Sequence, residues 1–344
     1  MNTIVKKVNF KVLNSVRNDL NCFQVRSVSS LEKKHFMRIG QLSNEELEDL
    51  LQLSIHLKTQ FKTNHDDAKN RLPLKGKSMS MIFQKRSTRT RVSTETGIYL
   101  LGGHALMLGP QDIQLGVNET MQDTSLVLSR FNDIILARVF AHQDVEDLAK
   151  YSSVPVINAL SDKYHPLQTL ADLMTLKEHF NNQLQGKTVA WIGDGNNVLH
   201  DLLIGSLKVG MNVNIATPKD YRPDPDVLEE AFQIAKASNL KVNVTDDPKV
   251  AIKGANVVVT DTWISMGQEA EAKKRKLDFT GYQIDTSLMK LASSDAVFLH
   301  CLPRKQEEVT DEVFYSKQSL VFPEAENRMW TVMAVTLRLL GLRF

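Results

Sequence analysis

Short apolar runs alternate with helical stretches along almost the whole chain, and no other feature constrains the fold as tightly. Met79–Phe83, Ala105–Leu108, Ile134–Val139 and Val154–Ala159 read as strands in the first half. Thr188–Ile192, Asn212–Ala216, Lys241–Val244, Asn256–Thr260 and Ala296–Leu302 read as strands in the second. Helical patterns cover Leu42–Phe61, Thr88–Leu101, Thr120–Phe131, Val145–Tyr151, Pro166–Phe180, Val198–Val209, Val227–Ala237 and Arg328–Leu340. Strands separated by helices imply parallel sheets covered on both faces. The chain is therefore expected to be α/β, with two doubly wound parallel-sheet domains divided near residues 160–185 by the helix that starts at Pro166. Its 344 residues, 42% of them hydrophobic, have room for two cores. No apolar run reaches the length of about 18 residues that a membrane span needs.

The net charge of +2 hides an asymmetry. Residues 1–30 hold Lys6, Lys7, Lys11, Arg17 and Arg26 against Asp19, a balance of +4 that leaves −2 for the remainder. The remainder argues against a nucleic-acid partner. The first 30 residues are basic, contain Ser15, Ser27, Ser29 and Ser30, and space Val5, Val8, Val12 and Leu13 as a loosely helical face. That composition predicts a mitochondrial transit peptide, with a disordered basic tail as the alternative. The two cysteines are Cys22 and Cys301. With Cys22 in the leader, a single thiol remains, so no internal disulfide and no cysteine-rich zinc site is expected.

In doubly wound sheets, ligands sit beyond the carboxyl ends of the strands. Ser87-Thr88-Arg89-Thr90-Arg91 follows the first strand. Ser87 is suited to cap a helix, and the helix start offers free N–H groups to an anion. Cations at that end oppose the helix dipole by roughly 0.3–1 kcal/mol each. A bound anion, most simply a phosphate, offsets the cost; a capped helix with a solvated basic turn is the plainer reading. Arg138 ends an apolar strand and calls for either an ion pair or a ligand. His165-Pro166-Leu167-Gln168 starts a helix with proline at its first position, so His165 is either a cap or a polarising donor. Gly193-Asp194-Gly195-Asn196-Asn197 lies between strand and helix, but Val198 stands where a dinucleotide fingerprint has its third glycine. Asp261, followed by Thr262-Trp263-Ile264-Ser265-Met266-Gly267, is either a solvated loop acid or a partner for an amino group. Cys301, in His300-Cys301-Leu302-Pro303, reads by itself as an inert small hydrophobe.

Taken together over residues 33–344, these motifs resemble the aspartate/ornithine transcarbamylase family, on its ornithine-type, animal mitochondrial branch. The resemblance implies that Ser87, Thr88, Arg89 and Thr90 bind the phosphate of carbamoyl phosphate. It implies that Arg138, His165 and Gln168 hold the carbamoyl end, with Cys301, Leu302 and Arg328 completing that site. Asn197, Asp261, Ser265 and Met266 fall in the family's ornithine-binding motifs. Gln114 stands where vertebrate-like members carry histidine, in a loop that reaches the neighbouring subunit's phosphate site. The implied domains are a carbamoyl-phosphate domain over 33–165, joined by a C-terminal helix at 327–344, and an ornithine domain over 183–322.

The implied reaction is carbamoyl transfer to the δ-amine of ornithine in a homotrimer of the mitochondrial matrix, with Arg138, His165 and Cys301 catalytic. Neither the deprotonating group, Cys301 or the departing phosphate, nor any metal or organic cofactor is specified by the motifs; none of the latter is implied. Transfer to a modified ornithine or to putrescine, and a non-catalytic carbamoyl-phosphate-binding homologue, are the alternatives.

Overall fold

Two fully parallel sheets carry the structure. The computed structural model describes residues 34–112, 119–265 and 269–344. The basic stretch 1–30 with Cys22, and also Gln114 and Met266, lie outside the described residues. The strands are β1 (Ser78–Phe83), β2 (His104–Leu108), β3 (Ile134–Arg138), β4 (Val156–Leu160), β5 (Thr188–Ile192), β6 (Asn212–Ala216), β7 (Val242–Thr245), β8 (Val257–Thr260) and β9 (Val297–His300). Their order is β2-β1-β3-β4 in the first sheet and β7-β6-β5-β8-β9 in the second, every pair parallel. The expected α/β fold with two doubly wound sheets is the fold observed.

Each sheet has one switch point, where the chain runs out to one side and then returns to the other. In the first it lies between β1 and β3, in the second between β5 and β8. Register places Phe83 beside Arg138 and Thr260 beside His300, so the motifs emerge at matched depths.

Local chemistry sets the helix ends. Ser43 and Glu46 form a reciprocal capping box that starts helix Asn44–Thr63. The Ser87 hydroxyl accepts the Thr90 N–H at 3.2 Å and starts helix Thr88–Leu100. Helix Pro166–His179 is buried on nearly every side. It packs against helix Asn197–Lys208 below the second sheet and against the C-terminal helix Val321–Leu339, which also covers helices Asn44–Thr63 and Thr88–Leu100. One continuous apolar cluster therefore joins Met81 and Leu136 of the first sheet to Trp191 and Val259 of the second.

Several boundaries shift by one to three residues, as where helix His142–Tyr151 starts before Val145, and two further differences bear on the site. The last strand stops at His300 instead of continuing to Leu302, because Leu302 takes a left-handed conformation, with φ +60°. The C-terminal helix begins at Val321 rather than near Arg328. Pro323 sits in its first turn, where a missing N–H costs no helical bond, and buried Glu324, Asn327 and Arg328 interrupt the apolar period.

Candidate active site

The carboxyl ends of the two sheets face one another, and Arg89, Arg138, His165, Gln168, Asp261, Cys301 and Arg328 lie there. Arg89, in the first turn of its helix, donates from Nη2 to the Leu302 carbonyl at 2.5 Å, which ties the first sheet's loop to the second's. Arg328 donates from Nη1 to Gln168 Oε1 at 2.7 Å and from Nη2 to the Thr90 hydroxyl at 3.3 Å. One guanidinium thereby joins the helix start after β1, the interdomain helix and the C-terminal helix.

Arg138, His165 and Arg328 are each less than 7% exposed. Each leaves a buried nitrogen without a hydrogen-bond partner: Arg138 Nε, His165 Nδ1 and Arg328 Nε. Such groups are rare in folded proteins and costly to leave unmade. Burial, then Arg328, lowers the Arg138 guanidinium to about 10. Burial also lowers Arg328 to about 10, with Arg89 adding to the effect. Burial and then Arg328, Arg138 and Arg89 hold His165 well below the usual imidazole range. A neutral imidazole therefore sits among three arginines, none of them in an ion pair among the described residues, an arrangement complementary to a multiply charged anion. The structure separates the readings left open above: no ion pair engages Arg138 among the described residues, and the His165 side chain makes no cap bond. The His165 ring is instead positioned through its backbone, whose N–H donates to buried Asp201 at 2.8 Å.

On the opposite wall, Asp261 follows β8 and is 4% exposed, not a solvated loop acid. Its carboxylate accepts Cys301 Sγ–H at 2.9 Å and Asn196 Nδ2 at 2.8 Å. Asn197 turns away, donating to the Ser161 carbonyl at 2.5 Å. Ser265 lies at the loop's described edge, half-buried. Asn196 also serves as an N-cap, accepting the Val198 N–H at 3.0 Å. Burial, and next the Asp261 carboxylate, push the Cys301 thiol well above its ordinary value. A thiol poised near neutral pH, the condition for Cys301 to act as a base, is not what this arrangement produces.

His300 secures the loop beneath. Its Nδ1 accepts the Leu302 N–H at 2.9 Å, which leaves Nε2 to donate to Glu308 at 3.2 Å. Asp261, His300 and Cys301 place one donor atom each within 4.8 Å of one another, the spacing of a metal site. Both His300 ring nitrogens are engaged inside the protein, so this set offers no ready imidazole ligand.

The glycine turn after β5 serves packing. A Cβ on Gly195 would meet the Arg222–Pro223 backbone at 2.4 Å. The space that a dinucleotide pyrophosphate would approach is filled by the chain's own backbone.

Comparison with known proteins gives the same picture. Residues 34–178 match the family model described as aspartate/ornithine carbamoyltransferase, carbamoyl-P binding domain. Residues 185–339 match the model described as the Asp/Orn binding domain of the same family. A mitochondrial ornithine carbamoyltransferase of Aquarana catesbeiana is 52% identical over 316 residues, covering 92% of this chain and 89% of its own. A mitochondrial ornithine transcarbamylase of Gallus gallus is 52% identical over 311 residues, covering 90% of this chain and 86% of its own. Among solved structures, an ornithine carbamoyltransferase from Pyrococcus furiosus superposes with a TM-score of 0.87 at 46% identity, covering 91% of this chain and 99% of that one. With two facing parallel sheets and both family models matched along its length, the chain belongs to the aspartate/ornithine carbamoyltransferase family.

Proposed function

We propose that the protein transfers the carbamoyl group of carbamoyl phosphate to the δ-amine of L-ornithine, giving L-citrulline and phosphate. The observation that carries this reading is the set of three buried, partnerless nitrogens of Arg138, His165 and Arg328 beside Arg89. The first domain, 33–165 with 327–344, takes carbamoyl phosphate, and 183–322 takes ornithine. Ser87, Thr88, Arg89 and Thr90 receive the phosphate at the helix start, with Gln114 from a neighbouring subunit. Arg138, His165 and Thr90 polarise the carbamoyl oxygen; losing one such donor typically costs about 2.7–4 kcal/mol. Gln168 Oε1 and the Leu302 carbonyl each keep a second lone pair for the carbamoyl amino group. Asp261 pairs with the acceptor's α-ammonium, while Asn197, Ser265 and Met266 orient its chain.

The neutral δ-amine attacks the carbamoyl carbon. The C–O bond to phosphorus-bound oxygen then breaks, and the leaving phosphate takes the proton shed by nitrogen. This assignment follows from the raised Cys301 thiol, which donates to Asp261 and so orients the acceptor's acid partner without accepting a proton. Proximity between two domains supplies up to roughly 7–11 kcal/mol.

The functional unit is a homotrimer in the mitochondrial matrix. Among the described residues strand β2 is a sheet edge, with Leu106 on it and Val92 and Tyr99 on the helix against it all exposed, a surface that favours cover by another copy. The +4 balance of residues 1–30 and the mitochondrial relatives support import. The decisive experiment is parallel assay with ornithine, N-acetylornithine, putrescine and aspartate. Carbamoylation of ornithine alone is expected; preferential turnover of another amine overturns the acceptor, and turnover of none overturns catalysis.

A further inference from the structure

Behind the arginines lie two buried acids that the reaction above does not use. Asp172, one turn beyond Gln168, and Glu324, in the first turn of the C-terminal helix, are each 2% exposed. Gln168 Nε2 donates one hydrogen to Asp172 Oδ1 at 2.8 Å and the other to Glu324 Oε1 at 2.7 Å. Both carboxyl groups therefore converge on one amide nitrogen in a buried site, where two like charges so close together disfavour full ionisation. Glu324 Oε2 accepts the His300 backbone N–H at 3.0 Å. The cluster thus touches the interdomain helix, the C-terminal helix and β9.

We propose that Asp172 and Glu324 share one proton, and that this acid pair is the positioning element which sets the Gln168 amide and, through it, the Arg328 guanidinium. The inference rests on the functional reading above only where it concerns carbamoyl phosphate binding. An amide side chain has two orientations. In the one that fits, both Nε2 hydrogens meet acid oxygens and Oε1 meets Arg328. Turned over, carbonyl oxygen faces acid oxygen and N–H faces guanidinium N–H. One proton leaves a single negative charge to face the single guanidinium of Arg328. Asp261 after β8 and the Cys301 thiol after β9 also face the pair, and neither favours a second negative charge. Burial pushes Asp172 up to about 7, and burial with the Asp172 carboxyl pushes Glu324 well above the usual carboxylate range. The pair therefore keeps its proton to higher pH than an ordinary carboxyl does. Loss would place two charges behind Gln168 and draw Arg328 back from the anion site.

The test combines infrared difference spectra of the intact protein with calorimetric binding of carbamoyl phosphate. At neutral pH, wild type minus the double variant Asp172→Asn/Glu324→Gln should show one protonated-carboxyl C=O band. Asp172→Asn keeps Oδ1 as the acceptor from Gln168 and makes its other arm a permanent donor, so its affinity should stay within about threefold of wild type at neutral pH, well inside the cost of a lost charge-assisted bond. Wild type should lose at least about tenfold in affinity towards alkaline pH, the scale of one such bond, and Asp172→Asn should not. Absence of the band, or an alkaline loss in Asp172→Asn that superimposes on wild type, overturns the proposal. The infrared result holds whichever amine accepts the carbamoyl group, so failure of the functional reading is distinguished from failure of the pair.

Discussion

Cys301 Sγ lies 2.9 Å from Asp261 Oδ1, and the contact bridges the ends of the adjacent strands β9 and β8. The carboxylate accepts from the thiol, so the sulfur is held protonated. A thiol raised well above its ordinary value forms thiolate only at alkaline pH. In a chain starting near Leu31, where Cys301 is the single cysteine, alkylation at pH 8 is expected to be far slower than for a free cysteine. Asp261→Asn removes the negative charge and should speed it. Rapid alkylation of the parent at pH 7 would contradict the geometry and reinstate Cys301 as a base.

The arginine cluster sets function against stability. Arg89→Ala should lower kcat/KM for carbamoyl phosphate by at least about two orders of magnitude, since charge-assisted bonds are worth roughly 1.5–3 kcal/mol. Arg89 is half-buried at a helix start, and its loss should leave thermal stability nearly unchanged.

Arg138 is fully enclosed, and its replacement has a different signature. A buried charge with no paired acid is costly to keep in a fold, so Arg138→Met should melt higher than the parent in phosphate-free buffer. The parent should gain about 2.7 kcal/mol from phosphate at one hundred times its dissociation constant, and the variant much less. Equal phosphate stabilisation of both proteins, read by calorimetry, would exclude Arg138 from the anion site.

Asp201 carries a pH dependence of opposite sign to the usual carboxylate. Its Oδ1 accepts Ile39 N–H at 2.7 Å and its Oδ2 accepts His165 N–H, yet burial raises it to about 7. The folded state therefore binds its proton more tightly than the unfolded state does. Its contribution is full below the unfolded value of about 3.9 and is lost as pH rises through about 7, at up to about 1.4 kcal/mol per unit. Asp201→Asn should flatten the fall in Tm across that window. An unchanged slope would mean that the carboxyl stays ionised.

Shared active sites can be tested by complementation. Gln114→Glu sets a carboxylate against the bound dianion and should inactivate the sites it contributes to, as Arg89→Ala should from the other side of the interface. Refolding the two inactive proteins together should restore activity, because some mixed interfaces pair an intact Arg89 with an intact Gln114. Mixed trimers that stay inactive would place each site within one chain.

Much of the fold was legible in the residues alone. Every strand expected from its apolar run is present, because a strand between two helical layers must be apolar along its length and short enough to stand out between turns. Ser87 and Pro166 marked helix starts for local reasons that no tertiary contact overrides. What the sequence left open were questions of distance. Whether Arg138 met an acid, whether His165 was a cap, and whether Cys301 was inert depend on groups more than a hundred residues away or on another strand's end. Glu324 and Asp172 gave no signal, since a buried acid inside a helix looks like any solvated one until its neighbours are known. Local propensity and period determined the elements; only the docking of the two sheets' carboxyl ends decided which charges would be stranded together, because burial and pairing, not residue type, set the energy of a charge.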